Sequence, residues 1–526
     1  MIALTEQDAT CRIARGGETL LECPVAFDPQ AARDLLVAIN ALRDPGGAPI
    51  YLRGCDGRTP VWAMLQEHLY WEYLQPFIKY RPILDWLAAH PAEPVETEIA
   101  GLRVWLRLVR DEDAAASSLG ERLRHAFESL FLIANAAAVG LWGRLRGQRF
   151  LLWSLNCVWG NRWIDYRLKD VYAALWEKGV PFVEGFPFPG FKTVVQRLLG
   201  SRRLAFYAPN FLRVTPTATQ TAEHSEYDWS SCVAMPETFL RPLIARMETM
   251  LCNAKLHARE LTLLFSIAGI PRIIGIDEHT SYAALLLAAR TRGIEAIGLQ
   301  HGVFHKYSIG WTTPGIPHEF TAGYDRILVW GEFWRDLLSE LSTTYTPDRL
   351  EPAGFIRPST ISLRRRAAQP AGAPFRILLP YEFLANPEEI AAYVEAFLAR
   401  GFEVLFKVRF DDTLDTQLRL LPRDRLTLVP ELTQEIIESI HVCAGTSTTM
   451  MYELYFLNVP SWFIRTRHDS NIHMVDKGIA ADITLEKLRA PDFDPAAHLI
   501  VPAAGERIFA GGSIPQSVLD LASGEG

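Results

Sequence analysis

The stretch 275–302, GIDEHTSYAALLLAARTRGIEAIGLQHG, constrains the fold of this chain more than any other part of it. A short apolar run, RIIGI, stops at Asp277-Glu278-His279, and Thr280 is placed to cap the helix that follows. That helix ends at Arg292-Gly293, and a second apolar run, AIGL, stops at Gln300-His301-Gly302. Strand-length runs at both ends and a helix between them predict one β-α-β unit. Such a unit belongs to a parallel sheet with helices on both faces. Its polar residues gather at the carboxyl ends of the two strands, where open α/β sheets bind ligands. Asp277, Glu278, His279 and His301 are groups that take and give protons, so the segment predicts acid-base chemistry on a small molecule.

The same cadence runs through most of the chain. From Arg149, RFLLWSLN reads as a strand, DYRLKDVYAALWEKG as a helix and PFVEG as a strand. Helical sequence fills 236–267, and YDRILVWGEFWRDLLSE is one more strand and helix. The polar, basic stretch 361–374, ISLRRRAAQPAGAP, reads as a linker. Strands and helices then alternate from FRILLPYE to SWFIRT. The predicted fold is α/β, with two Rossmann-like doubly wound domains facing a cleft. They span 148–360 and 375–490, with an N-terminal α+β region at 1–147 and a C-terminal tail, 491–526, packing back.

A chain of 526 residues exceeds what one core supports. Its net charge of −8 argues against nucleic acid as a partner. Seven cysteines without a C-x-x-C pattern predict reduced thiols in a cytoplasm. The N-terminus lacks the basic start and apolar core of a signal peptide. No run of about 18 apolar residues occurs, so no spanning helix is expected. Within 1–147, residues 50–54 and 102–109 read as strands, and the aromatic-dense 61–87 as core or a domain interface. LFLIANAAAVGLW at 130–142 reads as a buried helix, with membrane contact as its alternative. FPFPGFKTVVQRLLGSRRLAFYAPNF, with Phe186, Phe188 and Phe191 near Lys192, Arg197, Arg202 and Arg203, reads as a flexible surface loop that either packs its aromatics or touches anionic lipid.

A second chemistry-bearing segment is Gly445-Thr446-Ser447-Thr448-Thr449, before the helical MMYELYFLN. A glycine and four hydroxyl residues at a strand-to-helix turn present backbone N–H groups, hydroxyls and the positive end of the helix dipole, which suits a phosphate. A plain helix cap is the other reading of the same residues. Glu453, on the helix that follows, is placed to reach a ribose hydroxyl. Lys407 and Arg409, after FEVLF, can neutralise phosphate. Glu382, after RILLPY, and Glu431, after LTLVP, stand at strand ends where a nucleotide lies. His305 and Lys306 are expected near the cleft, and His468, Asp469 and His473 near a sugar. No His/Cys cluster has zinc spacing, and Asp411-Asp412 reads as a solvated turn.

Two Rossmann-like domains, a linker and the strand–G-T-S-T–helix–E–N-V-P sequence resemble a GT-B glycosyltransferase over roughly residues 150–480. The Q-H-G after an apolar strand is similar to bacterial surface-polysaccharide transferases, the Kdo- or sialic-acid-transferase-like and glycerophosphotransferase-like groups. The resemblance implies an inverting, metal-independent enzyme without a cofactor. Such an enzyme moves a sugar from a nucleotide-sugar donor to a bacterial surface glycan, a lipid-linked acceptor or a protein. The cysteine pattern predicts a cytoplasmic protein, and the Phe/Arg stretch admits, as an alternative, peripheral contact with the cytoplasmic face of the inner membrane. The His-Pro pair of sialyltransferase-like enzymes has no counterpart at 406–410, so the chain departs from a CMP-sugar pattern. Transfer needs one base near the acceptor and several donors near the leaving phosphate, which assigns Asp277 or Glu278 to the first task. Alternatives are a nucleotide-sugar 2-epimerase, a CDP-glycerol-type glycerophosphotransferase and a non-catalytic GT-B scaffold. The N-terminal third favours a large acceptor.

Overall fold

The computed structural model describes the chain except residues 1, 8–9, 53–54, 57–58, 92–94, 110–118, 156–162, 202, 211–225, 277–281, 371–373, 383, 409–419, 503–504 and 524–526. Strands β1 (Ile2–Gln7), β2 (Thr10–Arg15), β3 (Glu18–Pro24) and β6 (Val95–Thr97) form an N-terminal sheet, and β4 (Cys55–Asp56) and β5 (Thr59–Pro60) a short ribbon. Seven strands follow in one parallel sheet: β7 (Leu151–Trp153), β8 (Val183–Pro187), β9 (Ala205–Ala208), β10 (Arg272–Gly275), β11 (Glu295–Leu299), β12 (Arg326–Val329) and β13 (Leu350–Pro352). Their spatial order is β13-β12-β11-β10-β7-β8-β9. A second parallel sheet holds β14 (Arg376–Pro380), β15 (Glu403–Lys407), β16 (Leu426–Val429), β17 (Val442–Gly445), β18 (Ser461–Ile464) and β19 (Ala480–Ile483), in the order β16-β15-β14-β17-β18-β19.

Numbered within each domain, both sheets run 3-2-1-4-5-6, the Rossmann order, and the first adds a seventh strand at its edge. The order reverses between β7 and β10 in the first domain and between β14 and β17 in the second. Each sheet is buried on both faces, as shown by the wholly buried β7, β9, β17 and β18. The predicted pair of Rossmann-like domains with an extra N-terminal region is therefore observed, and β19 extends the second sheet beyond SWFIRT.

The N-terminal region shares its core with the first domain. Its aromatic cluster meets the long helix Glu237–Ala268, with the Phe77 and Phe239 rings 5.5 Å apart and those of Trp105 and Phe239 5.9 Å apart. The outer face of the second sheet has a separate core around Ile377, Phe397, Phe406 and Trp462. The chain passes between the domains twice. The outward pass bonds to the return pass through a β-bridge between Phe355 and Ser513 and an Ile514 N to Phe355 O bond of 3.3 Å. Gly354 and Gly512 stand at this crossing because the carbonyl of Gly512 fills the space where a Cβ on residue 354 would lie. The returning helix Ile514–Ser523 packs on the first-domain helix Lys169–Glu177, and Arg272 Nη1 donates to Leu521 O at 3.0 Å.

Four local expectations are corrected. Residues 100–109 are helical, with Leu102 and Trp105 buried at a spacing of three, so helical periodicity wins over apparent alternation. Residues 50–52 form a 3-10 turn, not a strand. The supposed loop at 186–210 is a helix, Phe191–Ser201, followed by β9. There Arg197 is fully buried in an ion pair with Glu184, which Arg203 also meets at 2.9 Å. Finally, 130–142 is no buried helix. It belongs to one helix, Leu119–Arg146, that covers only one of its faces. From Leu123 to Arg146 this helix is long and apolar enough to cross a membrane by length and composition, and only 22% of its most apolar window is buried. Charged Arg124, Glu128 and Arg144 interrupt the apolar run and hide that length in the sequence.

Candidate functional site

The second-domain switch point lies between the carboxyl ends of β14 and β17. Glu382 follows β14 and is fully buried. Its carboxylate accepts from Thr446 N at 2.8 Å, from Ser447 N at 2.9 Å and from Ser447 Oγ at 2.5 Å. Burial pushes the Glu382 carboxyl up from 4.5 to about 7, against the pull of those donors. Gly445 is required here because a Cβ would lie 2.5 Å from Glu382 Oε1 and 3.0 Å from Met451 Sδ. Two residues singled out separately in the sequence thus bind each other: the hydroxyl-rich turn already holds a carboxylate. Thr448 Oγ1 accepts from Met450 N at 3.2 Å, which leaves its own proton to donate. Thr446 Oγ1 donates to His468 O at 2.8 Å, tying the turn to the loop after β18. The helix behind the turn, Met450–Phe456, carries Glu453, whose Oε1 lies 3.9 Å from Arg357 Nη2. Burial raises the Glu453 carboxyl above its ordinary value, with Arg357, Lys169 and Lys407 pulling it back.

Lys407 ends β15 and is buried. Its ammonium donates to Val408 O at 2.7 Å and Pro430 O at 2.9 Å. Burial lowers its pKa, while Glu431 and Glu453 oppose the shift. Glu431 is exposed after β16. Arg409 lies outside the described residues.

In the first domain, the described chain stops at Ile276, just past β10, and resumes at Tyr282. Asp277, Glu278, His279 and Thr280 therefore lie outside the described residues. The rest of that switch point carries a hydrogen-bonded chain absent from the sequence reading. Ser154, the residue after β7, donates to Asp165 Oδ2 at 2.5 Å. Asp165 is fully buried and accepts a fork from Arg167, with Nη2 at 2.7 Å and Nε at 3.0 Å from its oxygens. Arg167 Nη1 reaches His301 Nε2 at 3.4 Å, and since arginine only donates, Nε2 accepts. Gln300 is structural: its Oε1 accepts from Trp330 N at 2.8 Å, and its carbonyl accepts from Trp330 Nε1 at 2.8 Å. Of Gln300-His301-Gly302, then, only His301 turns toward the Asp165–Arg167 pair. A serine near the end of a predicted strand and an Asp-x-Arg opening a predicted helix were the available signals.

The loops after β11 and β18 bring the two domains together beside the packing of Trp334 on Tyr452, with rings 4.6 Å apart. Asp469 accepts from Tyr307 OH at 2.6 Å and pairs with Lys306 Nζ at 3.1 Å. Beside it lie the rings of His305 and His468, 6.1 Å apart, and buried His473, which bonds Tyr452 OH. Burial drives His305 well below its ordinary value, His468 to about 4 and His473 to about 3, so all three are neutral imidazoles at neutral pH. Among the described residues neither ring nitrogen of His468 has a hydrogen-bond partner. His305, Lys306, His468, Asp469 and His473 thus stand together on the interdomain wall. No group of three or more His, Cys, Asp or Glu able to hold a metal ion occurs among the described residues.

No protein-family model matches the sequence, and no curated protein matches it. Among solved structures the chain is similar to MurG of Acinetobacter baumannii, with TM-score 0.43 and 10% identity over 72% of this chain and 99% of that one. It is similar to the calicheamicin glycosyltransferase CalG4, with TM-score 0.41 and 14% identity over 72% of this chain and 98% of that one. It is also similar to a UDP-N-acetylglucosamine 2-epimerase, so described, from Listeria monocytogenes, with TM-score 0.40 and 11% identity over 72% and 96%.

Proposed function

We propose that this chain is a glycosyltransferase of the GT-B type that moves a sugar from a nucleotide-sugar donor, by inversion and without a metal. The observation that carries the reading is that two Rossmann-order sheets direct their carboxyl ends at one interdomain seam, bridged by Lys306, Tyr307 and Asp469. Switch points are where such sheets bind ligands, and two of them turned toward each other suit a reaction between two substrates.

Breaking a sugar–phosphate bond leaves negative charge on phosphate and needs a base for the incoming hydroxyl. In this reading the second domain holds the donor. Because Glu382 occupies the amides of Thr446 and Ser447, the phosphates are met by the hydroxyls of Thr448 and Thr449 and by Arg409, with Lys407 and Glu431 at the neighbouring strand ends. Glu453 faces the ribose. The neutral ring of His468 offers a hydrogen bond to the sugar. Asp277 or Glu278 takes the acceptor proton, with His279 beside them, and His301 is oriented for the same cleft by Arg167. The acceptor is a glycan, a lipid-linked molecule or a protein.

A thermal-shift series with UDP, GDP, CDP, CMP and dTDP tests the donor assignment, since a ligand at 100 times its Kd stabilises by about 2.7 kcal/mol. One nucleotide should raise the Tm, and Thr448→Ala with Thr449→Ala should remove the rise. No stabilisation by any of them overturns the reading. Turnover left intact by both Asp277→Asn and Glu278→Gln overturns the base assignment.

A further inference from the structure

The helix Leu119–Arg146 carries a stripe that the fold leaves open. Leu123, Phe127, Leu130, Leu141 and Leu145 are 61%, 71%, 65%, 62% and 74% exposed, and Trp142 is 43% exposed. Ala134, Ala137 and Ala138 are exposed between them. These positions recur every three or four residues, so they form one face. The opposite face, with Leu132, Ala136 and Val139, packs against the helix Glu237–Ala268 and β9. From Ser129 to Gly143 no residue is charged, a length of about 20 Å of helix.

A second exposed stripe adjoins it. The helix Phe191–Ser201 shows Phe191, Val195, Leu198 and Leu199 at 42%, 54%, 54% and 74% exposure. The two helices touch where the Phe131 and Phe191 rings lie 5.3 Å apart. Contiguous apolar surface of this extent on a folded chain marks an interaction face.

The charges around it select the partner. The chain as a whole carries −8, yet no acidic residue occurs from Ser129 to Arg149 or from Pro187 to Arg203. Exposed Arg144, Arg146 and Arg149 cluster at one end of the long stripe and Lys192 starts the short one. Arg146 lies over the Trp142 ring at 4.7 Å, an aromatic–cation pair suited to a headgroup boundary. We propose that these two helix faces dock the protein on an anionic lipid bilayer, lying on it rather than crossing it. One wall of the long helix packs on the body of the first domain, which rules out its leaving to span the bilayer without opening that core. A cavity of about 290 Å³ opens beside the stripe, lined by Arg124, His125, Glu128, Asn210, His257 and Glu260 at the carboxyl ends of β8 and β9. Docking puts this cavity at the bilayer plane, where, on the transferase reading, it receives the polar head of a lipid-linked acceptor.

The full chain is sedimented with vesicles of phosphatidylcholine alone and of phosphatidylcholine with phosphatidylglycerol. It should pellet with the anionic vesicles and much less with the neutral ones. Leu130→Glu with Leu141→Glu, both exposed and confirmed as folded by circular dichroism, should lower partitioning by roughly tenfold or more, since each buried leucine contributes at least that factor. Arg144→Ser with Arg146→Ser should remove the preference for anionic lipid. Wild-type protein that stays in the supernatant with both vesicles overturns the proposal. So does a wild-type dimer, seen by analytical ultracentrifugation, that the double glutamate variant dissolves while vesicle binding is unchanged. The nucleotide thermal-shift series is independent of lipid, so failure there removes the transferase reading and leaves the docking result standing.

Discussion

Glu382→Gln probes a fully buried carboxyl that accepts three hydrogen bonds from the 446–447 turn. Those bonds favour the carboxylate, but burial outweighs them and lifts the group from 4.5 to about 7. The folded state therefore holds this proton more tightly than the unfolded chain does. The stabilisation is fully present below pH 4.5, declines as pH rises, and is gone above pH 7. The shift from 4.5 to about 7, at about 1.36 kcal/mol per pH unit, amounts to about 3 kcal/mol across that window. Glutamine keeps the shape and does not titrate. The assay is urea unfolding of both proteins from pH 5 to pH 8, followed by tryptophan fluorescence. The variant is expected to lose some stability at every pH, because its amide sets a donor against Ser447 N–H. The decisive quantity is the difference between the two curves, which should change by about 3 kcal/mol in favour of the variant as pH rises. Parallel curves would refute the reasoning, since they would mean that Glu382 titrates alike in the folded and unfolded chain.

Gly445→Ala should destabilise the second domain by about 1–3 kcal/mol, because the new methyl meets Glu382 Oε1 and Met451 Sδ; a Tm within one degree of wild type would argue against that contact. Arg167→Lys keeps the charge but loses the fork to Asp165, and should lower turnover roughly tenfold with little change in Tm. Asp469→Asn removes the ion pair with Lys306 and weakens the bond to Tyr307. It should lower kcat/KM by roughly tenfold with less than about 1 kcal/mol lost in stability, as the pair is partly exposed.

Much of the parallel architecture is legible in the sequence because parallel strands are short apolar runs and their helices end at glycine. Arg292-Gly293 and the stop at Gly401 are examples, both with positive φ. The positions of Glu382 and the 445–449 turn are legible for the same reason: each follows a strand. Their mutual hydrogen bonds are not, since they depend on β14 and β17 being neighbours across a crossover. The link from Arg167 to His301 escapes for the same cause, because sheet order alone brings those two residues together. The exposed face of the helix Leu119–Arg146 is not legible, because an apolar run carries no record of which of its sides finds a partner. Arg197 shows the converse: a basic residue in an apparently open basic stretch proves to be the buried mate of Glu184.

The paired crossing at Phe355 and Ser513 has a consequence for motion. Two domains joined by one strand of chain can swivel freely, but two passes hydrogen-bonded side by side act like the spine of a book. Opening and closing about the spine leaves its bonds intact, whereas twisting one cover against the other shears them. Opening would also have to part the Lys306–Asp469 ion pair and the packing of Trp334 on Tyr452, whose rings lie 4.6 Å apart. A bulkier residue at Gly354 or Gly512 would push the passes apart, so the loss would appear as an extra degree of rotational freedom between domains that each remain folded.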